Sequence, residues 1–455
     1  MDQASVAAAR PRRGDELELV VDSLAFGGAG VARLDGYVVF VSGAVPGDRV
    51  RAVVGKSKRA YAEARAVEVL SPGPERVAPV ADHPGAPWQI LPYERQLAVK
   101  QGQVDDALRR LGRLEGYELE PIVPALEPWR YRNKLEFSFG SDSSGRLVCG
   151  FHAPGRWEEI VEVRDCLLGS ERSNTAREEV VEWCRAQGLE PYDRASGQGF
   201  LRNLVVREGR RTGELQVRLV TSPGTIDRAG LVDAARSADG LLWTRTGSLG
   251  ETTAGGETEL LAGTDRLREE LGGLRVRISP EAFFQTNTEM AERLYGLAIE
   301  FAGLTGFERV YDLYCGIGTI GLLMAPRAAE VWGLELVEDA IADAIANARA
   351  NEIDNVRFFA GDVRLALREL VEKAKRPDVL VVDPPRAGLS QKVVRRVIEA
   401  SPRRIVYVSC NPTTLAPNAA QLVEAGYVLR RVRPVDMFPQ TPHVECVALL
   451  ERAAA

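Results

Sequence analysis

The chain has 455 residues, enough for roughly three domains at about 150 residues each, and its 45% hydrophobic and 27% charged residues exclude disordered, fibrous and coiled-coil classes. With 58 basic against 64 acidic side chains the net charge is −6, so an acidic partner has to be met by a local patch rather than by the global field. Cys149, Cys166, Cys184, Cys315, Cys410 and Cys446 are too sparse for a disulfide scaffold and lack paired metal-type spacing, which points to a reducing cytoplasm. Residues 1–13 carry no apolar core, and no run approaches the roughly 18 apolar residues that span a bilayer, so the chain is expected to be neither secreted nor membrane-embedded.

Residues 17–21, 38–41, 49–54 and 62–70 are short β-branched runs broken by glycine, the spacing of strands. Glycines between positions 27 and 47 supply sharp turns, and Pro72, Pro74 and Pro79 mark a linker. A small β-barrel is expected over residues 12–71. Arg49, Arg51, Lys56, Lys58, Arg59 and Arg65 face Glu63 as their one countercharge, with Tyr61 interleaved for base stacking; a solvated basic edge is the alternative. Residues 93–114 place Leu97, Val104, Leu108 and Leu111 on one helical face. Residues 129–278 return mainly to strands with one helical stretch at 173–187, giving a central α+β domain over 72–278. From 309 onward, strands at 309–313, 330–336, 356–359, 378–382, 404–409 and 444–450 alternate with helical stretches, the pattern of a doubly wound α/β sheet in a domain over 279–455.

In such a sheet, ligands bind beyond the carboxyl ends of the strands. The first strand runs into Asp312-Leu-Tyr-Cys-Gly-Ile-Gly318-Thr319, where two glycines let a loop pass close under a ligand. The second ends at Glu335, whose carboxylate can accept both hydroxyls of a ribose. Asp362 ends the third, placed either to contact an adenine amino group or to cap the next helix. After the fourth, Pro384 and Pro385 cannot continue a sheet and fix a stiff loop that holds Asp383 and Arg386 at the site's mouth; a buried Asp–Arg pair is the alternative. The fifth ends at Ser409-Cys410-Asn-Pro, a thiol ahead of a helix near Thr413 whose dipole is expected to lower its pKa, or else a small core residue. His443 and Glu445, two apart, share a face on entering the last strand; spacing alone favours a surface turn with a solvated carboxylate. A nucleophilic thiol with a nearby carboxylate suits addition to carbon 6 of a pyrimidine and proton removal from carbon 5.

Together, Asp312-Leu-Tyr-Cys-Gly-Ile-Gly, Asp383-Pro-Pro-Arg-Ala-Gly, Ser409-Cys-Asn-Pro, His443-Val-Glu, Tyr131-Arg-Asn-Lys-Leu and Ser279-Pro-Glu-Ala-Phe-Phe-Gln-Thr-Asn resemble the RNA uracil-5-methyltransferase family. The first domain resembles a TRAM domain, the oligonucleotide-binding-like barrel of many members, and the catalytic domain would be of the class I, Rossmann-like type. The resemblance implies S-adenosyl-L-methionine as methyl donor, a flipped or looped-out uridine in folded RNA as acceptor, Cys410 as nucleophile and Glu445 as general base. It implies that Gln285, Tyr314, Glu335 and Asp383 hold the cofactor, with Thr319 and Asp362 beside them, and that residues 93–125 pack on the catalytic domain.

Many barrel-bearing relatives hold a [4Fe-4S] centre between the barrel and the next domain. Residues 80–93 contain no cysteine and Cys166 alone cannot hold a cluster, so no iron–sulfur centre or other metal is expected, and His83 reads as a loop residue. By family analogy the resemblance to a TRAM domain implies 23S ribosomal RNA rather than transfer RNA as substrate; no membrane partner and a monomeric protein are expected. The alternatives are a tRNA uridine-5-methyltransferase, an amino-group nucleic-acid methyltransferase, for which Asp383-Pro-Pro would suffice without a thiol, and a non-catalytic RNA-binding protein.

Overall fold

The computed structural model describes residues 10–250 and 252–453; residues 1–9, part of the N-terminal stretch read above, lie outside the described residues. Alternating buried and exposed side chains, as at Val50, Ala52 and Val54, curl β1 (Glu16–Leu24), β2 (Gly30–Leu34), β3 (Tyr37–Ser42), β4 (Arg49–Ser57) and β5 (Tyr61–Ser71) into a closed barrel in the order β1-β2-β3-β5-β4. β2 was not anticipated, since its short Gly-Val-Ala-Arg-Leu run is a weak strand signal. The charge reading also needs correction: the antiparallel ladders set Glu18 beside Arg49 at 2.8 Å and Glu68 beside Arg51 at 2.7 Å, while Glu63 takes Lys56 at 3.1 Å. Lys58, Arg59 and Arg65 have no ion-pair partner among the described residues.

α1 (Tyr93–Asp106) continues into a single π turn at Ala107–Leu111. Its buried face differs from the expected one: Gln96, Lys100 and Val104 are buried, Leu97 is half-buried and Leu111 is exposed. The cause is that the helix meets a polar loop, with Lys100 Nζ donating to Asp436 Oδ1 at 2.6 Å and Gln96 Nε2 to Gln440 Oε1 at 2.8 Å. The wider π turn then changes the register that four-residue spacing assumes.

After the two-residue β6 (Glu118–Leu119), the central unit is a seven-stranded sheet of β7 (Lys134–Ser141), β8 (Leu147–Ala153), β9 (Arg156–Glu162), β10 (Leu201–Glu208), β11 (Leu215–Thr221), β12 (Gly240–Arg245) and β13 (Glu257–Gly263), with α2 (Glu171–Ala186) and α3 (Arg228–Ala234) against it. His83 lies in a loop, as expected, but is not at the surface. It is buried, with Nε2 3.2 Å from Cys166 Sγ and its ring 5.4 Å from that of Phe151, and burial lowers its pKa to about 4.

The hairpin of β14 (Leu267–Leu271) and β15 (Leu274–Ile278) packs Leu271, Leu274 and Val276 into one core with α4 (Thr288–Ala302), so the last unit begins before residue 279. That unit continues with β16 (Arg309–Leu313), α5 (Thr319–Met324), β17 (Glu330–Glu335), α6 (Glu338–Ala350), β18 (Val356–Ala360), α7 (Val363–Ala374), β19 (Val379–Val382), α8 (Gln391–Ala400), β20 (Arg404–Ser409), α9 (Pro412–Glu424), β21 (Tyr427–Val435) and β22 (Glu445–Arg452). Its eight-stranded sheet has the order β18-β17-β16-β19-β20-β22-β21-β6. The five strands β16 to β20 are parallel, and β22 runs antiparallel between β20 and β21. All four residues of β19 are buried, as a strand covered on both faces requires, each contributing about 1.5–3 kcal/mol. Strand order reverses between β16 and β19, and the crevice at their carboxyl ends is where such a sheet binds a ligand.

Candidate active site

On one side of the crevice, β16 delivers Asp312 and the loop that follows. Asp312 is fully buried; its Oδ2 accepts from Gly321 N at 2.9 Å, while Oδ1 has no hydrogen-bond partner among the described residues. Burial, reinforced by Asp383 and Glu335, raises its pKa to about 7. Tyr314 takes a left-handed backbone (φ 64°), turning the chain so that Gly316 N donates to Glu335 Oε2 at 3.2 Å. Gly318 (φ 85°) must be glycine, because a Cβ there would come within 2.8 Å of Phe358 Cζ. Glu335 Oε1 accepts from Leu336 N at 2.7 Å and Val337 N at 3.1 Å, so the carboxylate is fixed at the end of β17.

Asp362 behaves as the helix cap: Oδ1 accepts from Arg364 N at 2.8 Å and the carboxylate is gripped by the Arg364 guanidinium, which depresses its pKa. Thr319, at the start of α5, is buried beside Tyr295 of α4. Tyr295 escaped the sequence reading because its helical spacing marks it as core, yet it also senses Asp383, Asp312 and Glu445.

Cys410 and Glu445 stand on the other side, and Asp383, at the end of β19 between β16 and β20, stands between the two. Asp383 is half-buried and desolvation raises its pKa to about 7; no Asp383–Arg386 ion pair forms among the described residues. Antiparallel β20 and β22 pair Ser409 with Cys446, and that register sets Cys410 next to Glu445. Glu445 is therefore no solvated turn carboxylate. It is 3% exposed, its Oε2 has no hydrogen-bond partner among the described residues, and burial together with Asp383 raises its pKa well above the carboxylate range.

The expected lowering of the Cys410 pKa is also corrected. Desolvation, then Glu445 and Asp383, push the thiol up to about 12, with Arg386 pulling the other way. The α9 terminus is capped instead by Asn411, whose Oδ1 accepts from Thr413 N at 3.1 Å. Arg386 Nη2 lies 3.3 Å from His443 Nδ1 at the mouth, and burial holds His443 neutral with a pKa of about 4.

The upstream motifs buttress this wall. Asn133 Nδ2 donates to Gln285 O at 2.9 Å and Thr288 Oγ1 at 2.8 Å, and Gln285 itself is buried. Asn287 Nδ2 donates to Met437 O at 3.1 Å and Tyr131 OH to Pro439 O at 3.1 Å, both on the loop leading to Glu445. That loop also meets the barrel: at Gly28 (φ 94°) a Cβ would stand 2.8 Å from Pro442 Cβ.

The residues converge on a crevice with four carboxylates, a thiol and a glycine loop, which suits a cationic nucleoside ligand beside an electrophilic substrate. Residues 264–453 match the model of the tRNA (uracil-5-)-methyltransferase family, and residues 10–67 match the TRAM domain. An uncharacterized RNA methyltransferase of Halalkalibacterium halodurans is 37% identical over 96% of this chain and 97% of its own. One from Bacteroides thetaiotaomicron is 40% identical over 93% of this chain and 99% of its own. The chain belongs to the RNA uracil-5-methyltransferase family. Among solved structures, the Pyrococcus abyssi tRNA (uracil-54, C5)-methyltransferase in complex with S-adenosyl-L-homocysteine aligns with a TM-score of 0.77 and 31% identity, covering 95% of this chain and all of that one. This family member is thus an S-adenosyl-L-methionine-dependent RNA methyltransferase with a TRAM barrel ahead of its catalytic sheet. Among the described residues no helix is long and apolar enough to cross a membrane.

Proposed function

We propose that this enzyme methylates carbon 5 of a uridine in folded RNA through a covalent adduct to Cys410. The observation that carries the reading is the β20–β22 register, which sets the thiol of Cys410 next to the buried carboxylate of Glu445. Gln285, Tyr314, Thr319, Glu335, Asp362 and Asp383 would hold S-adenosyl-L-methionine, which would supply the methyl group as a sulfonium cation. Carboxylates facing one crevice fit that charge, and a bound cation would draw the raised pKa values of Asp312, Asp383 and Glu445 back toward ionisation.

Cys410 Sγ gives up its proton to solvent and bonds to carbon 6, sending the electron pair of the carbon 5–carbon 6 double bond to carbon 5, which would take the methyl group as the methyl–sulfonium bond breaks and leaves a neutral sulfur. Glu445 then removes the carbon-5 proton, the carbon 5–carbon 6 double bond re-forms and the sulfur leaves. Both carbons are hidden in a stacked duplex, so the base has to be flipped out. Arg386, at the mouth, favours the thiolate that starts the sequence.

Within this reading the target is 23S ribosomal RNA, supported by the TRAM barrel, and the enzyme works as a monomer in the cytoplasm, the compartment supported by six free cysteines. The tRNA substrate of the Pyrococcus abyssi enzyme supports transfer RNA as the second reading. The test mixes the protein and S-adenosyl-L-methionine with 5-fluorouridine-containing transcripts of 23S RNA and tRNA. A denaturant-resistant adduct on one transcript, lost in Cys410→Ala, identifies the substrate. No adduct on either, with no tritium released from 5-tritiated uridine, overturns the mechanism.

A further inference from the structure

Two cavities outside the catalytic crevice flank a single turn. Between β8 and β9 the chain reverses at residues 154–155, and Gly155 and Arg156 form one wall of a cavity of about 840 Å³ whose other wall is the barrel, with Phe40, Tyr61, Arg13 and Arg65. The next residue, Trp157, lines a second cavity of about 510 Å³ at the edge of the central sheet, together with His152, Tyr192 and Arg202. The hairpin turn is thus a shared wall between barrel and central unit.

The two cavities have the same chemistry. In the first, the rings of Phe40 and Tyr61 meet edge to face at 5.5 Å, and Arg13 and Arg65 have no ion-pair partner among the described residues. Lys56 in that wall is already tied to Glu63, and Arg156 to Glu159 at 2.5 Å. In the second, Trp157 is 55% exposed, yet its indole is held flat by stacking on His152 at 3.8 Å and 4° between planes. The Arg202 guanidinium lies 3.8 Å over the Tyr192 ring and is itself buried, pinned by Ser222 Oγ at 3.1 Å and Ser248 O at 2.7 Å. An isolated surface tryptophan needs no explanation. A pre-stacked indole beside a buried cation–aromatic plate, one residue beyond a second cavity of aromatic rings and unpaired arginines, does.

We propose that the two cavities form one track for single-stranded RNA, running from the barrel around the 153–157 turn onto the central sheet. Bases stack on Tyr61 and Trp157, phosphates lie against Arg13 and Arg65, and the buried Arg202 holds the Tyr192 ring in place beside Trp157, the combination of π platforms and cations that unpaired strands require. The track rests on the RNA-substrate reading above and extends it to the strand beyond the target nucleotide.

The test uses the full-length protein without cofactor and a fluorescein-labelled oligouridine of about 12 nucleotides, within the range of oligonucleotide-binding-type sites. Fluorescence anisotropy at low salt should give Trp157→Ala and Tyr61→Ala each at least about fivefold weaker binding, one lost base stack apiece, with the double variant near the product. Trp157→Phe should recover most of the affinity, and the melting temperature of each variant should match the parent, which separates lost stacking from lost folding. Parent-like binding by both alanine variants overturns the track, as does no binding by the parent or equal competition from a blunt RNA duplex. If oligouridine binding falls as expected but no transcript is methylated, the catalytic reading fails and the track stands. If transcripts are methylated and oligouridine binding is unmoved by either alanine, the track alone fails.

Discussion

The two walls of the crevice are built in different ways. On the proposed cofactor wall, Asp312 and Glu335 are held by neighbours close in sequence: Gly321 N for the first, Leu336 N, Val337 N and Gly316 N for the second. On the nucleophile wall, Glu445 follows a loop tied to residues 308 to 344 positions earlier, through Tyr131 to Pro439 O, Lys100 and Tyr93 to Asp436, and Gln96 to Gln440. Lys100 and Asp436 are both fully buried, and the ammonium also donates to Phe438 O at 3.0 Å. The cofactor wall is a self-contained strand–loop–strand device. The proposed base, by contrast, is placed by segments from the first third of the chain, so the two walls should fail separately.

The largest separation is expected from Glu445→Gln. It keeps the shape and removes the base, so turnover should fall by about 10²- to 10⁴-fold while the affinity for S-adenosyl-L-methionine measured by calorimetry stays within a few-fold. The covalent RNA adduct should accumulate on denaturing gels, because the step that releases Cys410 follows proton removal. Normal turnover in this variant would deny Glu445 its role.

A smaller effect follows from Lys100→Met, which leaves Asp436 as a buried unpaired charge and should cost about 3–5 kcal/mol of stability in chemical denaturation. At a temperature where the variant stays folded, methyl transfer should fall while cofactor affinity holds. Adding Asp436→Asn should restore part of the stability, since the orphaned charge is then gone. Equal loss of cofactor binding and transfer would mean that the walls are not independent.

The same contrast explains what was legible in the sequence. Asp312, Glu335, Asp383 and Cys410 could be found because each ends a parallel strand, and the strand pattern is written in contiguous apolar runs. Glu445 looked like a solvated turn residue because its burial comes from segments with no local signature. For the same reason Gln96 and Lys100 were passed over in favour of Leu97 and Leu111: apolar spacing cannot register a helix whose buried face is polar and matched by Asp436 and Gln440. The pKa of Cys410 was misjudged because a helix dipole can be inferred from sequence, whereas the carboxylates of Glu445 and Asp383 around the thiol are a tertiary fact. β21 escaped for a related reason: its three arginines hide a strand, and their charges are met by Glu120, Glu300 and Glu451 from elsewhere in the fold.

The smallest effect, and the one that tells the cofactor wall from the nucleophile wall in a single titration, is the pH response of Asp312 and Asp383. Both have pKa values raised to about 7, against about 3.9 in an unfolded chain, so the folded form keeps protons that the unfolded form has released. Their contribution to stability is therefore complete below pH about 4 and is lost as pH rises through about 7. The melting temperature of the ligand-free protein should decline over that window, and Asp383→Asn should flatten part of the decline. A sulfonium favours the ionised carboxylates, so S-adenosyl-L-methionine should bind more tightly from pH about 6 to about 8, by at most about tenfold per pH unit for each proton released. S-adenosyl-L-homocysteine has a neutral sulfur and should show a shallower slope. The difference between the two slopes isolates the charge term from the contacts both ligands share. It should persist in Lys100→Met, which disturbs only the far wall, and shrink in Asp383→Asn; identical slopes for the two ligands in the parent enzyme would mean that the buried carboxylates do not face the sulfur.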